Sequence, residues 1–437
     1  MGGVQSRRLG THIFLLSALT SYPMSSERPM GPFMVVFGGQ AFSLFGSRLV
    51  QFALVWWITE TTGLASTLAF ASIVAMLPQV LLGPFAGALV DRWNRKTVMM
   101  VSDSFIALVV VALAFLYGTG AIRLWHVYLA MFTRSLGGAF QWPAMQATTT
   151  MMVDRGSLSR VAGMNQSLQG MAAIVAPPLG AFLMQVMPIQ TILLIDVATA
   201  VLAVGPLFFI KVPQPIRELT EMLGLKTVLM DMREGAMFVW RWRGLRIIMG
   251  MSMVMNFLMN PAFSLLPLVV TNHFNGGAVE LGWLQSANGV GMIAGGLLLG
   301  AWGGFRKRIV TAMTSIIIGG VFIEAFSFMP PELFLVAVGC VFVFAVFNTI
   351  ANGTFFSSMQ AVIPPEMQGR VFTILMSLSG GMTPIGLAFA GPVSDSLGLF
   401  IWFRIGGVVV ALIGAAAFFI PAVMNLEEEA ELPQTEA

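Results

Sequence analysis

Four charged residues crowd into six positions in the stretch GPFAGALVDRWNRKTV (83–98): Asp91, Arg92, Arg95 and Lys96. A carboxylate set there can accept hydrogen bonds from the unpaired N–H groups at another helix's amino terminus. The three bases can pair with acidic groups or lipid phosphates. Gly87, four residues earlier, lets a neighbouring helix come close. This is the chemistry of a latch between helices rather than of bond making. The three histidines, His12, His126 and His273, are scattered over expected helix ends and loops, and Cys340 is the only cysteine. No nucleophile and base pair or metal-ligand cluster is legible, so no cofactor, no metal and no enzyme activity are expected.

A second set of polar side chains interrupts apolar runs at helical spacing. Gln40, Ser43, Ser47 and Gln51 fall at steps of three and four, as do Ser252, Asn256 and Asn260, and then Asn348 and Asn352. Each series occupies one helix face. Such a stripe either lines a cavity or joins helices by hydrogen bonds, and cavity lining is the reading adopted. Arg134, in RSLGG, and Arg48, beside the first stripe, are charges that must face protein or water. Arg48 is either a substrate contact or an ion-paired packing residue. Gln141 and Trp142 join the cavity candidates, with Pro143 expected to break the helix there. Trp56 and Trp57 are assigned to an interfacial aromatic belt. Asp103, Asp196, Glu324 and Asp395 all fall near expected span ends, where capping or snorkelling accounts for them. The first three are nonetheless the candidates for proton coupling, and Asp103 is also placed to pair with the arginines of the latch.

The elements that must position these residues follow from composition. The chain has 437 residues, 57% hydrophobic and only 10% charged, against about 25% charged for soluble domains. Its mean hydropathy is +0.84. Apolar runs of about 20 residues, enough to cross a bilayer as helix, begin near residues 33, 64, 97, 124, 160, 190, 245, 279, 309, 333, 370 and 399. That is an all-α membrane protein of about twelve spans. The longest polar interval, Lys211 to Arg246, holds seven basic residues and amphipathic sequence, and it divides the spans into six and six. The expected organisation is a segment 1–30 resembling a signal peptide or following an early start codon, a bundle 31–210, a linker 211–244, a bundle 245–424 and an acidic tail 425–437.

The halves repeat. Met145, Gln146 and Ala147 match Met359, Gln360 and Ala361; Arg160 and Val161 match Arg370 and Val371; Gly170 matches Gly380. Such repeats build secondary transporters, with the substrate site between the halves. Placing both termini in the cytoplasm collects nearly all loop Lys and Arg residues on that side. A monomer in the cell membrane, contacting lipid but no nucleic acid, is expected.

The signature Gly87, Asp91, Arg92, Arg95, Lys96 between spans two and three resembles that of the major facilitator superfamily. Asn94 stands where the signature usually has glycine, on the expectation that asparagine tolerates the left-handed turn. A second-half counterpart, GGLLLGAWGGFRKR, keeps Gly296 and Gly300 but lacks the carboxylate. The strings VWWITETTG, NHFNGG and GRVFTILMSLSGGMTPIGLAFAG are similar to the macrolide efflux branch of the drug exporters. The resemblance implies the major facilitator fold, spans one, four, seven and ten around a central cavity, and export of an amphiphilic small molecule against protons. The Arg134 glycine motif and the partial span-five motif with Ala176, Pro177, Pro178 and Gly180 resemble the superfamily's antiporters. Siderophore or lipid export, or a receptor without transport, are the alternatives.

Overall fold

The computed structural model describes residues 30–90, 93–154, 157–212 and 225–427. Asp91, Arg92, most of the 1–30 segment and most of the acidic tail lie outside them. All regular structure among the described residues is helical. The long helices, numbered in chain order, are α1 Met30–Thr62, α2 Ala65–Val90, α3 Arg95–Gly118, α4 Leu124–Met152, α5 Leu158–Val186 and α6 Ile189–Phe209 in the first half. The second half has α7 Arg243–Ser264, α8 Ala278–Trp302, α9 Arg308–Ser327, α10 Phe334–Val362, α11 Pro365–Leu397 and α12 Ile401–Ala417. Among the described residues, nine helical stretches are long and apolar enough to cross a bilayer by length and composition. The other three places in the series are taken by α4 and α8, which carry polar side chains, and by the shorter α12. A separate helix, Leu225–Arg241, has one apolar face and packs against α11, where Arg370 and Glu234 form an ion pair at 2.5 Å.

The repeat read from sequence recurs in the packing. In the first half α1 packs on α5 and α6, α2 on α4, and α3 on α4 and α6; in the second half α7 packs on α11 and α12, α8 on α10, and α9 on α10 and α12. Val161 and Met145 are buried in one apolar cluster, and their repeat partners Val371 and Met359 in another. Both clusters lie at the end where the chain enters α1 and leaves α12, called here the terminal end. They are separate, one to each half. At the far end a single cluster runs through both halves, joining Phe52 and Leu68 to Leu258, Leu284, Phe344 and Leu387. The halves are therefore welded at the far end and parted at the terminal end.

The halves meet chiefly through two helix pairs, α5 with α8 and α2 with α11. Along α5 the helix continues unbroken through Pro177 and Pro178. Proline at 178 cannot donate to the carbonyl of Ile174, and in lipid a bare carbonyl is costly. Ser286 of α8 supplies the missing donor, its Oγ 2.9 Å from Ile174 O. At the far end of the other pair, the Asp395 carboxylate of α11 accepts from the backbone N–H groups of Ala65 at 2.8 Å and Ser66 at 3.1 Å, and from the Ser66 hydroxyl. It caps the amino terminus of α2 from the opposite half. Replacing Asp395 with Ala is expected to weaken this closure by about 1 kcal/mol, the usual worth of such a cap. A cysteine placed at Leu68, buried in the far-end core, and challenged with a membrane-impermeant maleimide should then react faster.

Candidate functional site

Between the halves lies a cavity of about 590 Å³. Its walls come from α1, α5, α7, α8 and α10, with Val410 of α12. Arg48 and Gln51 reach it from α1, Ser252, Asn256 and Asn260 from α7, and Asn348 and Asn352 from α10. Phe52, Met255, Met259, Phe263 and Phe344 supply apolar wall. The amides are partly tied to one another: Asn260 donates to Asn256 and to Thr383 of α11, both at 2.8 Å, and Asn352 donates to Asn348. The volume lies within the range of sites for drug-sized ligands.

Gln285 and Asn288 of α8 also line this cavity, and the sequence reading missed them. Their spacing of three on span eight was the available signal. Conversely, α4 supplies none of these wall residues, contrary to the expectation that span four would. Arg134, Gln141 and Trp142 all lie elsewhere. Trp142 is 42% exposed, and α4 runs through Pro143 without a break.

Arg134 turns into the first half. Its guanidinium meets the Asp196 carboxylate of α6 at 2.8 Å, with side chains only 9% and 3% exposed. It also donates to Ser47 O of α1 at 3.1 Å, and Ser47 Oγ donates to Asp196 at 3.2 Å. Gly46 makes room for this: a Cβ there would stand 2.9 Å from the Asp196 carboxylate and 3.0 Å from Asp196 Cα. A second chain runs beside the first. Gln141 donates to Gln40 at 2.6 Å, and Gln40 donates to Asp103 of α3 at 2.9 Å. Gln40 and Asp103 are buried, 5% and 4% exposed.

The polar stripe of span one therefore divides. Gln51 faces the cavity, with Arg48 next to the stripe, while Gln40, Ser43 and Ser47 are enclosed between helices. The reason is electrostatic: charges at this depth need partners, and the carboxylates of Asp103 and Asp196 provide acceptors on α3 and α6. Capping and snorkelling do not describe these two acids, each set about two helical turns inside its helix. Nor does Asp103 meet a latch arginine among the described residues. Glu324 is the exception among the candidates, lying in the last turn of α9 against Gly407 of α12.

At the terminal end, Arg95 donates to Ala147 O and Met151 Sδ of α4, and Lys96 donates to Phe208 O and Ile210 O at the end of α6. These bases tie the first half to itself. Asn94 has extended backbone, φ −68° and ψ 108°, and its side chain caps α3 by accepting from Thr97 N. The left-handed turn expected there is replaced by an N-cap, which asparagine favours. No described atom of another helix lies within 4 Å of where a Cβ on Gly87 would be, so the close helix approach expected at this glycine is not made among the described residues in this state. Trp56 is buried, and Trp57 packs edge-on against Tyr117 at 5.5 Å; these rings belong to the shared far-end core rather than to an interfacial belt.

Comparison with known proteins places this geometry. A family model described as Major Facilitator Superfamily matches residues 36–382. The chain is 31% identical over 395 residues to Macrolide efflux protein A of Streptococcus pyogenes, covering 90% of this chain and 97% of that protein. It is 28% identical over 410 residues to the Multidrug efflux pump Tap of Mycolicibacterium fortuitum, covering 91% and 97%. Among solved structures, a bacterial homologue of the iron transporter ferroportin in an inward-facing state superposes with a TM-score of 0.68 over 89% of this chain and 98% of that one, at 13% identity. A peptide transporter in complex with alafosfalin gives 0.67 over 91% and 96%, at 15% identity. With two repeated six-helix bundles around a cavity and a family match over most of its length, the chain belongs to the Major Facilitator Superfamily and is a membrane transporter, not an enzyme.

Proposed function

We propose that the protein exports an amphiphilic small molecule from the cytoplasm by alternating access, driven by proton antiport. The observation that carries this reading is the cavity between the halves, sealed by the common core at the far end and backed by the buried Arg134, Asp196 and Ser47 cluster. The terminal end is assigned to the cytoplasm because its loops and helix ends hold Arg160, Arg306, Lys307 and Arg308, whereas the far end has Arg123 and Arg404. The conformation is then inward-open, ready to load from inside the cell. The amide, methionine and phenylalanine walls suit a ligand that is partly polar and partly greasy. The efflux activities in the names of the two relatives favour a drug-like substrate.

In this account Asp91 and the bases beside it form the latch that closes the cytoplasmic end when the far end opens. Asp103 and Asp196 take up and release the coupling proton, since each lies buried within hydrogen-bond reach of groups on α1, the helix that also faces the cavity. Glu324, packed in the second half, is a weaker position for that role.

The test is drug accumulation in efflux-deficient cells expressing the protein, with fusidate as the first compound. Expression should lower steady-state accumulation, and Asp103→Asn, inserted in the membrane at normal levels, should reduce export at least tenfold. Unchanged accumulation across a panel of neutral, cationic and anionic drugs would remove the export reading.

A further inference from the structure

We infer that the cavity selects an anionic amphiphile, with an acid group held by Arg48 and an apolar portion lying toward α9 and α11. The inference takes the cavity to be the substrate site, as proposed above, and adds the chemical class.

Arg48 is the only charged residue among those lining the cavity. Its one hydrogen bond is to Gln169 Oε1 of α5 at 3.4 Å, beyond the usual 2.7–3.2 Å range for an N–H donor. A guanidinium has five N–H donors and stays charged, so most of its capacity faces the open space. Among the described residues no carboxylate forms an ion pair with it. The two buried acids of this half are engaged elsewhere, Asp196 by Arg134 and Asp103 by Gln40.

While water fills the cavity, it solvates Arg48. A ligand that displaces that water must replace its hydrogen bonds and its counter-charge. A carboxylate does both, and it matches the planar fork in a bidentate pair. An ammonium does neither and sets two like charges together in a low-dielectric site. The surrounding wall is acceptor- and donor-rich but uncharged, with Gln51, Gln285 and Asn288 placed to bond carbonyls and hydroxyls.

The shape extends the argument. A second cavity of about 160 Å³ shares Ser252, Met255, Asn256, Asn348 and Asn352 with the first. Its remaining wall is chiefly apolar, with Met251, Met313, Phe355, Phe372, Leu375 and Met376. Methionine and phenylalanine walls adapt to varied apolar shapes. The site is thus charged at one end, amide-lined in the middle and greasy at the other, which is the profile of an amphiphile with an acid terminus.

Binding of three fluorescent probes to the purified full-length protein in nanodiscs tests this: dansylaminoundecanoic acid, its methyl ester and the amine of matching chain length. The acid should bind at least tenfold more tightly than the ester or the amine. Arg48→Gln should weaken the acid at least tenfold and leave the ester unchanged, which also reports that the variant's cavity is folded; Arg48→Lys should fall between. Displacement of the acid by decanoate or by fusidate supports the proposal, and the better competitor separates a lipid acid from a polycyclic one. Equal binding of acid and ester, preference for the amine, an Arg48→Gln variant with undiminished acid affinity, or displacement by neither competitor would overturn it. Arg48-dependent acid binding without energised export of any probe would leave this site standing and remove the export reading. Export of neutral drugs by a protein that ignores the acid would do the converse.

Discussion

Asp196→Asn is expected to abolish transport and to lower the stability of the protein by about 3–5 kcal/mol, the usual consequence of stranding one member of a buried ion pair. The side chain of Arg134 is 9% exposed, so it has little water to turn to once the carboxylate is gone. Arg134 and Ser47 now bond different carboxylate oxygens, and in the amide one of them would meet the NH2 group instead of an acceptor. The double variant Arg134→Met, Asp196→Leu removes both charges and should recover much of the stability, because an apolar pair of similar size avoids the desolvation penalty. It should not recover transport. Thermal unfolding followed by size-exclusion chromatography measures the first effect, and export from loaded cells the second. A single Asp196→Asn variant that melts and transports normally would show that the pair is incidental to the mechanism.

Gly391→Val should have an equally large effect by a different route. A Cβ at Gly391 of α11 would lie 2.5 Å from Ser66 Cα and 3.1 Å from Ser66 N of α2. Those are backbone atoms at the start of a helix and cannot yield as a flexible side chain would. The variant can fold with the far end apart but cannot close it in the present manner. Expected is a well-inserted protein that transports at less than about a tenth of the wild-type rate, corresponding to a shift of at least about 1.4 kcal/mol between the two states. A cysteine at Leu68, which is buried in the far-end core, should be labelled readily from outside in this variant and slowly in the parent chain. Equal labelling and undiminished transport would mean that the far-end seal has no part in the cycle.

Most of the fold was legible in the sequence because a bilayer permits few alternatives: backbone groups must bond internally, and apolar runs of helical length mark the result. The internal repeat was legible for the same reason, since Met145 and Met359, or Val161 and Val371, hold corresponding places in two apolar clusters. Side-chain partners were harder. Periodicity shows that Gln40, Ser43, Ser47 and Gln51 share a face, but a face of this width meets more than one neighbour. Near one end it meets Asp103 and Asp196, and near the other it opens on the cavity. Arg134 finds its carboxylate 62 residues away on α6, and Asp395 caps α2 from 330 residues away. No local spacing announces such contacts. Asp103 and Asp196 looked peripheral because span ends were placed only approximately, and an error of one turn moves an acid from the interface to the interior.

The latch motif was recognisable from residue order alone, yet its visible bases serve the first half. Arg95 and Lys96 bond carbonyls near the ends of α4 and α6, which fixes the base of one bundle and leaves the gap between bundles open. The two ends of the α2 and α11 pair can therefore be regarded as alternatives. Asp395 caps α2 at the far end in the present state, and Asp91 follows the last residue of α2 at the other end of the molecule.

Transport in energised vesicles examines the central claim most directly. Inside-out membrane vesicles containing the protein, with an acidic lumen, should accumulate fusidate or dansylaminoundecanoic acid above its external concentration. Accumulation should vanish with a protonophore and in Asp196→Asn vesicles, and each uptake event should release lumenal protons detectable with a trapped pH-sensitive dye. Uphill accumulation that persists at full rate after the proton gradient is dissipated, with no proton movement on adding the compound, would contradict proton-coupled export.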